Sequence, residues 1–189
     1  MSLEYAILRI ESPTARETAE VLMDSESFAA FYERSARSLW AYLARASGSP
    51  ALADDLMQES YLRFLGATRN YDGEVDRRRY LFRIASNLLH DHWRRPRTSS
   101  IEDLSEAVFA ETDSHAQIDA QIALGPALRQ MRPRDRQLLW LAYAEGYTHR
   151  EIAEITGLQS ASVRLILFRA RRQIAGLLRD SGLPQKGVV

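Results

Sequence analysis

In Thr148-His149-Arg150-Glu151-Ile152-Ala153-Glu154-Ile155-Thr156-Gly157-Leu158 the chain states where one helix begins, where it stops and how the next is approached. Thr148 is an N-cap residue with Glu151 three positions on, a capping box in which each side chain satisfies an orphan backbone donor. Ile152, Ala153 and Ile155 supply the apolar face of a short helix. Gly157 follows where a left-handed residue lets the chain turn sharply, and Leu158 anchors the turn. Ser160 or Ser162 begins the next helix, with Val163, Leu167, Ala170 and Ile174 facing inward. The small Ala153 permits close approach where the two helices cross. This spacing predicts a helix-turn-helix, whose second helix enters the major groove of duplex DNA. On its outer faces remain Ser162, Arg164, Leu165, Ile166, Arg169 and Arg172. Arginine pairs with guanine edges and also holds phosphates.

Upstream, the apolar periodicity stays helical. One stripe joins Phe28, Phe31, Tyr32, Ser35, Leu39 and Leu43. A second joins Ala53, Leu56, Met57, Ser60, Tyr61, Phe64 and Leu65, and a third Leu81, Ile84, Ala85, Leu88 and His92. Gly48-Ser49-Pro50 separates the first two, Asn70-Tyr71-Asp72-Gly73 reads as a turn, and Pro96 with Thr98-Ser99-Ser100 ends the third. The polar, acidic composition that follows suits a tether. A second helical unit begins near Gln117, punctuated by Pro133, Gly146 and Gly157. The predicted fold is all-α. Its divisions are an N-terminal extension over 1–24, a helical domain over 25–96, an acidic, flexible linker over 97–116, a helix-turn-helix domain over 117–180 and a tail over 181–189. Ser12-Pro13-Thr14 can cap a short helix within the extension.

Two helices of the first domain carry further chemistry. On the second, Asp55, Gln58 and Leu62 fall on one line away from the apolar stripe, with Glu59 beside them. Read alone, such a line is a solvated face or a docking face for a basic partner helix. On the third, Arg83, Asn87, His90 and Arg94 line one side, interleaved with Tyr80, Phe82 and Trp93. Arginines neutralise phosphates, aromatics stack on unpaired bases and Asn reads base edges, which is the chemistry that holds a melted strand. The alternative is that the aromatics are core and the arginines merely solvated.

Bulk properties agree with two small helical domains. The chain has 189 residues, 46% of them hydrophobic, and no net charge. Charge is nevertheless segregated: Arg77 to Arg79, Arg94 to Arg97 and Arg169 to Arg172 are basic, and Glu102 to Asp119 is acidic. All basic residues but Lys186 are arginine, the better bidentate phosphate ligand. The absence of cysteine excludes disulfides and thiolate metal sites. No signal peptide or membrane span is read, so no membrane insertion and a cytoplasmic location are expected. His90-Asp91-His92 is not read as a metal site, because His residues two apart on a helix diverge by about 200°. No cofactor, metal site or catalytic residue is expected.

Taken in order, these motifs resemble the extracytoplasmic-function group of the sigma-70 family of RNA polymerase sigma factors. Asp54-Asp55-Leu56-Met57-Gln58-Glu59-Ser60-Tyr61-Leu62-Arg63 looks like that family's polymerase-docking helix, and Tyr80 to Asn87 like its promoter-melting helix. Pro133-Arg134-Asp135-Arg136, Gly146 to Ala153, Val163 and Arg169-Ala170-Arg171 look like its helix-turn-helix. The likeness spans roughly Phe28 to Arg95 and Gln117 to Leu178. It implies a helical bundle like sigma region 2 joined to a helix-turn-helix like region 4.

The resemblance also implies a mechanism. The first domain would bind the clamp coiled coil of the largest subunit of core RNA polymerase through Asp55, Gln58, Glu59 and Leu62. The loop at Asn70 and Tyr71, with Tyr80, Arg83, Asn87, His90 and Arg94, would capture the non-template strand of the minus-ten promoter element. Thr148, Ser160, Ser162, Arg164, Leu165, Ile166, Arg169 and Arg172 would read the minus-thirty-five element as duplex. Polymerase would carry out all nucleotide chemistry, so the chain would not be an enzyme. An anti-sigma factor would be a further partner. The chain departs from the family at Arg77, where an apolar or aromatic residue is usual, and at Tyr80, where tryptophan is usual. It departs again at Leu165 and Ile166, where polar or basic residues are usual. A conventional helix-turn-helix regulator or a sigma-like decoy are the competing readings.

Overall fold

A computed structural model describes residues 23–95 and 124–180, and among these every regular element is helical. Three helices form the first group: α1 (Ser25–Ser47), α2 (Pro50–Leu65) and α3 (Gly73–Arg94). Residues 124–129 are helical and lead into α4 (Pro133–Tyr143), α5 (His149–Thr156) and α6 (Ser160–Asp180). The expected extension, linker and tail lie outside the described residues, apart from Met23 and Asp24.

Local chemistry sets these boundaries. The Asp24 carboxylate accepts from Ser27 N and caps α1, and Gly48 ends it at φ 80°. Ser49 then caps α2 by accepting from Leu52 N, with Pro50 in the first turn, where its missing N–H costs nothing. The Ser49 cap stabilises its helix by about 1 kcal/mol. Pro133 opens α4 in the same way.

The expected stripes face inward. Phe31 and Leu39 from α1, Leu56 and Phe64 from α2, and Leu81, Ile84 and Leu88 from α3 are buried. Ser35 and Ser60 sit in this core without penalty, because each hydroxyl donates to a carbonyl one turn back in its own helix. Phe82, left open between core and surface, is completely buried, with Tyr42 at 5.2 Å on one side and Tyr147, ahead of α5, at 5.8 Å on the other.

The second group packs against the first, α1 on α4 and α3 on α5, so that one apolar core runs through both. Polar side chains lock this junction. The Arg136 guanidinium, buried in α4, donates to Ala46 O at 3.2 Å. The Tyr42 hydroxyl accepts from Gln137 Nε2 at 2.7 Å, leaving its proton for Ser86 Oγ at 2.6 Å. Burial pushes the Tyr42 phenol well above its ordinary range, so it stays neutral here.

Candidate nucleic-acid interface

The helix-turn-helix closes as its local sequence requires. Thr148 Oγ1 accepts from Glu151 N while Glu151 Oε2 accepts from Thr148 N, a complete capping box. These bonds from Thr148, and secondarily Arg79, hold the Glu151 carboxyl below its ordinary range. Gly157 ends α5 at φ 70°, where any β-carbon would be strained. Leu158 N then donates back to Ala153 O and aims the chain into α6. Val163, Leu167 and Ala170 of α6 are buried. Arg164, Leu165, Arg169 and Arg172 are exposed, as are Thr148 and Ser160, whereas Ser162 and Ile166 are half-buried. Phe168, not singled out by its pattern, is also exposed, with the Arg172 guanidinium 5.9 Å from its ring centre.

Along α3, Arg83, Asn87 and Arg94 form an exposed row, with Asn70 exposed in the preceding loop. Other residues expected on the strand face are engaged. Tyr71 stacks on Phe64 at 5.2 Å and leans on Tyr80 at 5.6 Å, and the Arg69 guanidinium stands over the Tyr80 ring at 4.8 Å. Both tyrosines are therefore half-buried, a finding the helical pattern does not contain because Phe64 comes from α2. The Tyr71 hydroxyl is buried with no hydrogen-bond partner among the described residues. His90 Nε2 lies 3.3 Å from Gln137 Oε1, and since an amide oxygen only accepts, that nitrogen carries the proton. Burial moves the His90 pKa down. Trp93, half-buried, lies 5.5 Å from the His90 ring.

On α2, Asp55, Gln58 and Leu62 are exposed in a line; Leu62 keeps 59% of its surface open to solvent. Glu59 is half-buried and bonded to Arg63 at 2.6 Å. No group of three or more His, Cys, Asp or Glu side chains that could hold a metal occurs among the described residues. No described helix is long and apolar enough to cross a membrane.

Comparison with known proteins adds to this geometry. Sequence models of the Sigma-70 family match the chain twice, region 2 over residues 31–99 and region 4 over residues 122–174. The chain belongs to the sigma-70 family. It falls in the extracytoplasmic-function branch. It is 28% identical to the ECF RNA polymerase sigma factor BldN of Streptomyces coelicolor over 83% of this chain, but spans only 62% of that protein's length. It is 25% identical to the ECF RNA polymerase sigma factor SigL of Mycobacterium tuberculosis, over 89% of this chain and 98% of SigL. In fold it is similar to the sigma factor RpoE of Bartonella quintana, solved in complex with the anti-sigma factor NepR. The TM-score is 0.64 at 18% identity, covering 82% of this chain and 98% of RpoE.

For this sigma-70 chain, the residues that its sequence pattern does not flag are those joining regions 2 and 4. Arg78 Nη2 donates to Glu145 Oε2, whose partner oxygen accepts from Trp140 Nε1. Arg79 Nη2 donates to Glu151 Oε1. Tyr147, wedged at the same seam, has its phenol pushed up to about 12 by burial. The clustered charges of Arg77 to Arg79 were visible, but their partners lie 67 and 72 positions away.

Proposed function

We propose that this chain is an alternative sigma factor that binds core RNA polymerase, recognises promoter DNA and promotes its melting. One observation carries the reading: matches to sigma-70 regions 2 and 4 occur in one chain, in that order. Asp55, Gln58 and Leu62, with Glu59 at the edge, are the proposed docking line for the clamp coiled coil of the polymerase. A polar line ending in an exposed leucine combines apolar contact with a polar rim, as small interfaces do. Asn70, Arg83, Asn87 and Arg94 are the proposed strand contacts, with Tyr71, Tyr80 and His90 becoming available once the packing around them loosens. Arg164, Arg169 and Arg172 are the proposed duplex contacts, with Leu165 set against thymine methyl groups. Thr148, Ser160, Ser162 and Ile166 border them.

Catalysis belongs to the polymerase in this reading, and the chain acts in the cytoplasm. An anti-sigma factor is a further proposed partner, by analogy with relatives that carry one. The test is run-off transcription with core polymerase on genomic fragments, comparing the parent with Asp55→Ala/Gln58→Ala. Initiation should require this protein and fall several-fold in the double variant. Absence of initiation from every template would overturn the assignment, and full activity of the variant would remove the docking line.

A further inference from the structure

The outward face of α6 is apolar along its centre. Val163, Leu167 and Ala170 are the buried residues of this helix. At about 100° per residue, Ala161, Leu165 and Phe168 lie between about 135° and about 195° from the mean direction of that buried row. All three are exposed, Leu165 to 48% and Phe168 to 50%. Arg164 stands on one flank at about 95° and Arg169 on the other at about 125° from the same direction. Large apolar side chains held side by side in water mark a contact surface. Charge says what the contact is. Every charged residue of α6 before Asp180 is an arginine, and Arg164, Arg169 and Arg172 form no ion pair among the described residues. A polyanion therefore fits this face, with cations on its edges for the phosphate walls of a groove and apolar side chains for the floor. The 5-methyl of thymine is the apolar group that a base pair presents in the major groove.

We propose that Ala161, Leu165 and Phe168 form the specificity-determining line of the duplex face, and that together they read the methyl groups of two or more thymines in adjacent base pairs. This rests on the duplex reading of α6 given above and deepens it from one leucine to a line. From Ala161 to Phe168 the helix rises about 10 Å, which matches about three base pairs at 3.4 Å each. The Arg172 guanidinium, 5.9 Å from the Phe168 ring centre, sets a cation beside the aromatic end of the line, where it meets a phosphate as the ring meets a base edge. Selection follows from what the line lacks. It carries no donor or acceptor for guanine O6 and N7 or for the cytosine amino group, so a G·C pair placed under it loses water and gains no hydrogen bond.

The experiment uses the full chain without polymerase, at low salt. Duplexes that the parent enriches from a random double-stranded pool should share neighbouring thymines. Each of those thymines is then replaced in turn by deoxyuridine, which removes the methyl and keeps the base pair. Each replacement should weaken binding by the parent about three- to fourfold, the worth of one buried methyl-sized group. Leu165→Ala/Phe168→Ala, with circular dichroism confirming its helices, should bind the thymine duplex about tenfold more weakly than the parent and be indifferent to deoxyuridine. A parent indifferent to deoxyuridine overturns the proposal. So does a variant that keeps the parent's penalty, because the methyl then acts through the shape of the duplex. Parental affinity in the variant overturns it too and leaves the patch to a protein partner. Arg164→Ala/Arg169→Ala separates the two claims. Loss of duplex binding in that variant, beside a parent indifferent to deoxyuridine, sinks the apolar line alone. A pool from which no duplex is enriched sinks the duplex reading and the line with it.

Discussion

Gln137 of α4 donates its side-chain amide to the Tyr42 hydroxyl of α1 over 2.7 Å, and both side chains are wholly buried. The other side-chain partner of Gln137 is His90 of α3. A fully buried amide of region 4 is thus satisfied by region 2, and separation of the two must hydrate it. Its burial is tolerable only because both ends of the amide are bonded.

Replacing Gln137 with Leu removes both bonds at similar size. It should cost about 1–2 kcal/mol of stability against urea, since the Tyr42 hydroxyl keeps Ser86. Combined with Tyr42→Phe, the double variant should lose less than the sum of the singles, with a coupling of about 1 kcal/mol. Strict additivity would show that the bond does not hold the junction.

Leu62 is 59% exposed and packs little of its side chain, so Leu62→Glu should leave the unfolding midpoint within about 0.5 kcal/mol of the parent. Core-polymerase affinity should fall by about tenfold or more, because a charge placed in the proposed docking contact must be desolvated. Co-elution of the variant with polymerase at parental affinity would contradict the docking line.

Arg169 and Arg172 are exposed on α6, so each phosphate contact they make releases counterions. Arg169→Ala and Arg172→Ala should each flatten the dependence of log affinity on log salt by about one unit on duplex promoter DNA, if each holds one phosphate. An unchanged slope in both would move the duplex face elsewhere.

His90 gives the junction a pH dependence of known sign. Burial lowers its pKa, opposed by the bond to Gln137, while Arg134 lowers it further and Asp91 raises it. A folded-state pKa below the ordinary value of about 6.5 means stability that is complete above that pH and lost as pH falls below it. The urea midpoint of the parent should therefore drop between about pH 7.5 and about pH 5.5 by more than that of His90→Gln. Equal drops in the two proteins would place the titration on another group.

Much of the site was legible because its determinants are local. The capping box of Thr148 and Glu151, the turn at Gly157 and the inward row of Val163, Leu167 and Ala170 depend on residues within a few turns, where spacing dictates geometry. The exposure of Asp55, Gln58 and Leu62 followed from their angle to the stripe of α2. Phe82 and Tyr71 resisted the same reading. Periodicity assigns a residue to a face of its helix but does not say what covers that face, and here Tyr147 covers Phe82 while Phe64 covers Tyr71.

By itself the amino-acid sequence determined that the chain is helical, where breakers divide its helices, the capping box at Thr148, and an arginine-bearing face on each side of an acidic stretch, since these are properties of neighbours along the chain. Only tertiary structure decided that α3 and α5 meet, that Arg79 spends its charge on Glu151, and that Gln137 finds Tyr42 and His90. The reason is physical: ion pairs and buried amides take their partners by distance in space, and a separation of 72 positions carries no trace of which arginine and which carboxylate will lie side by side.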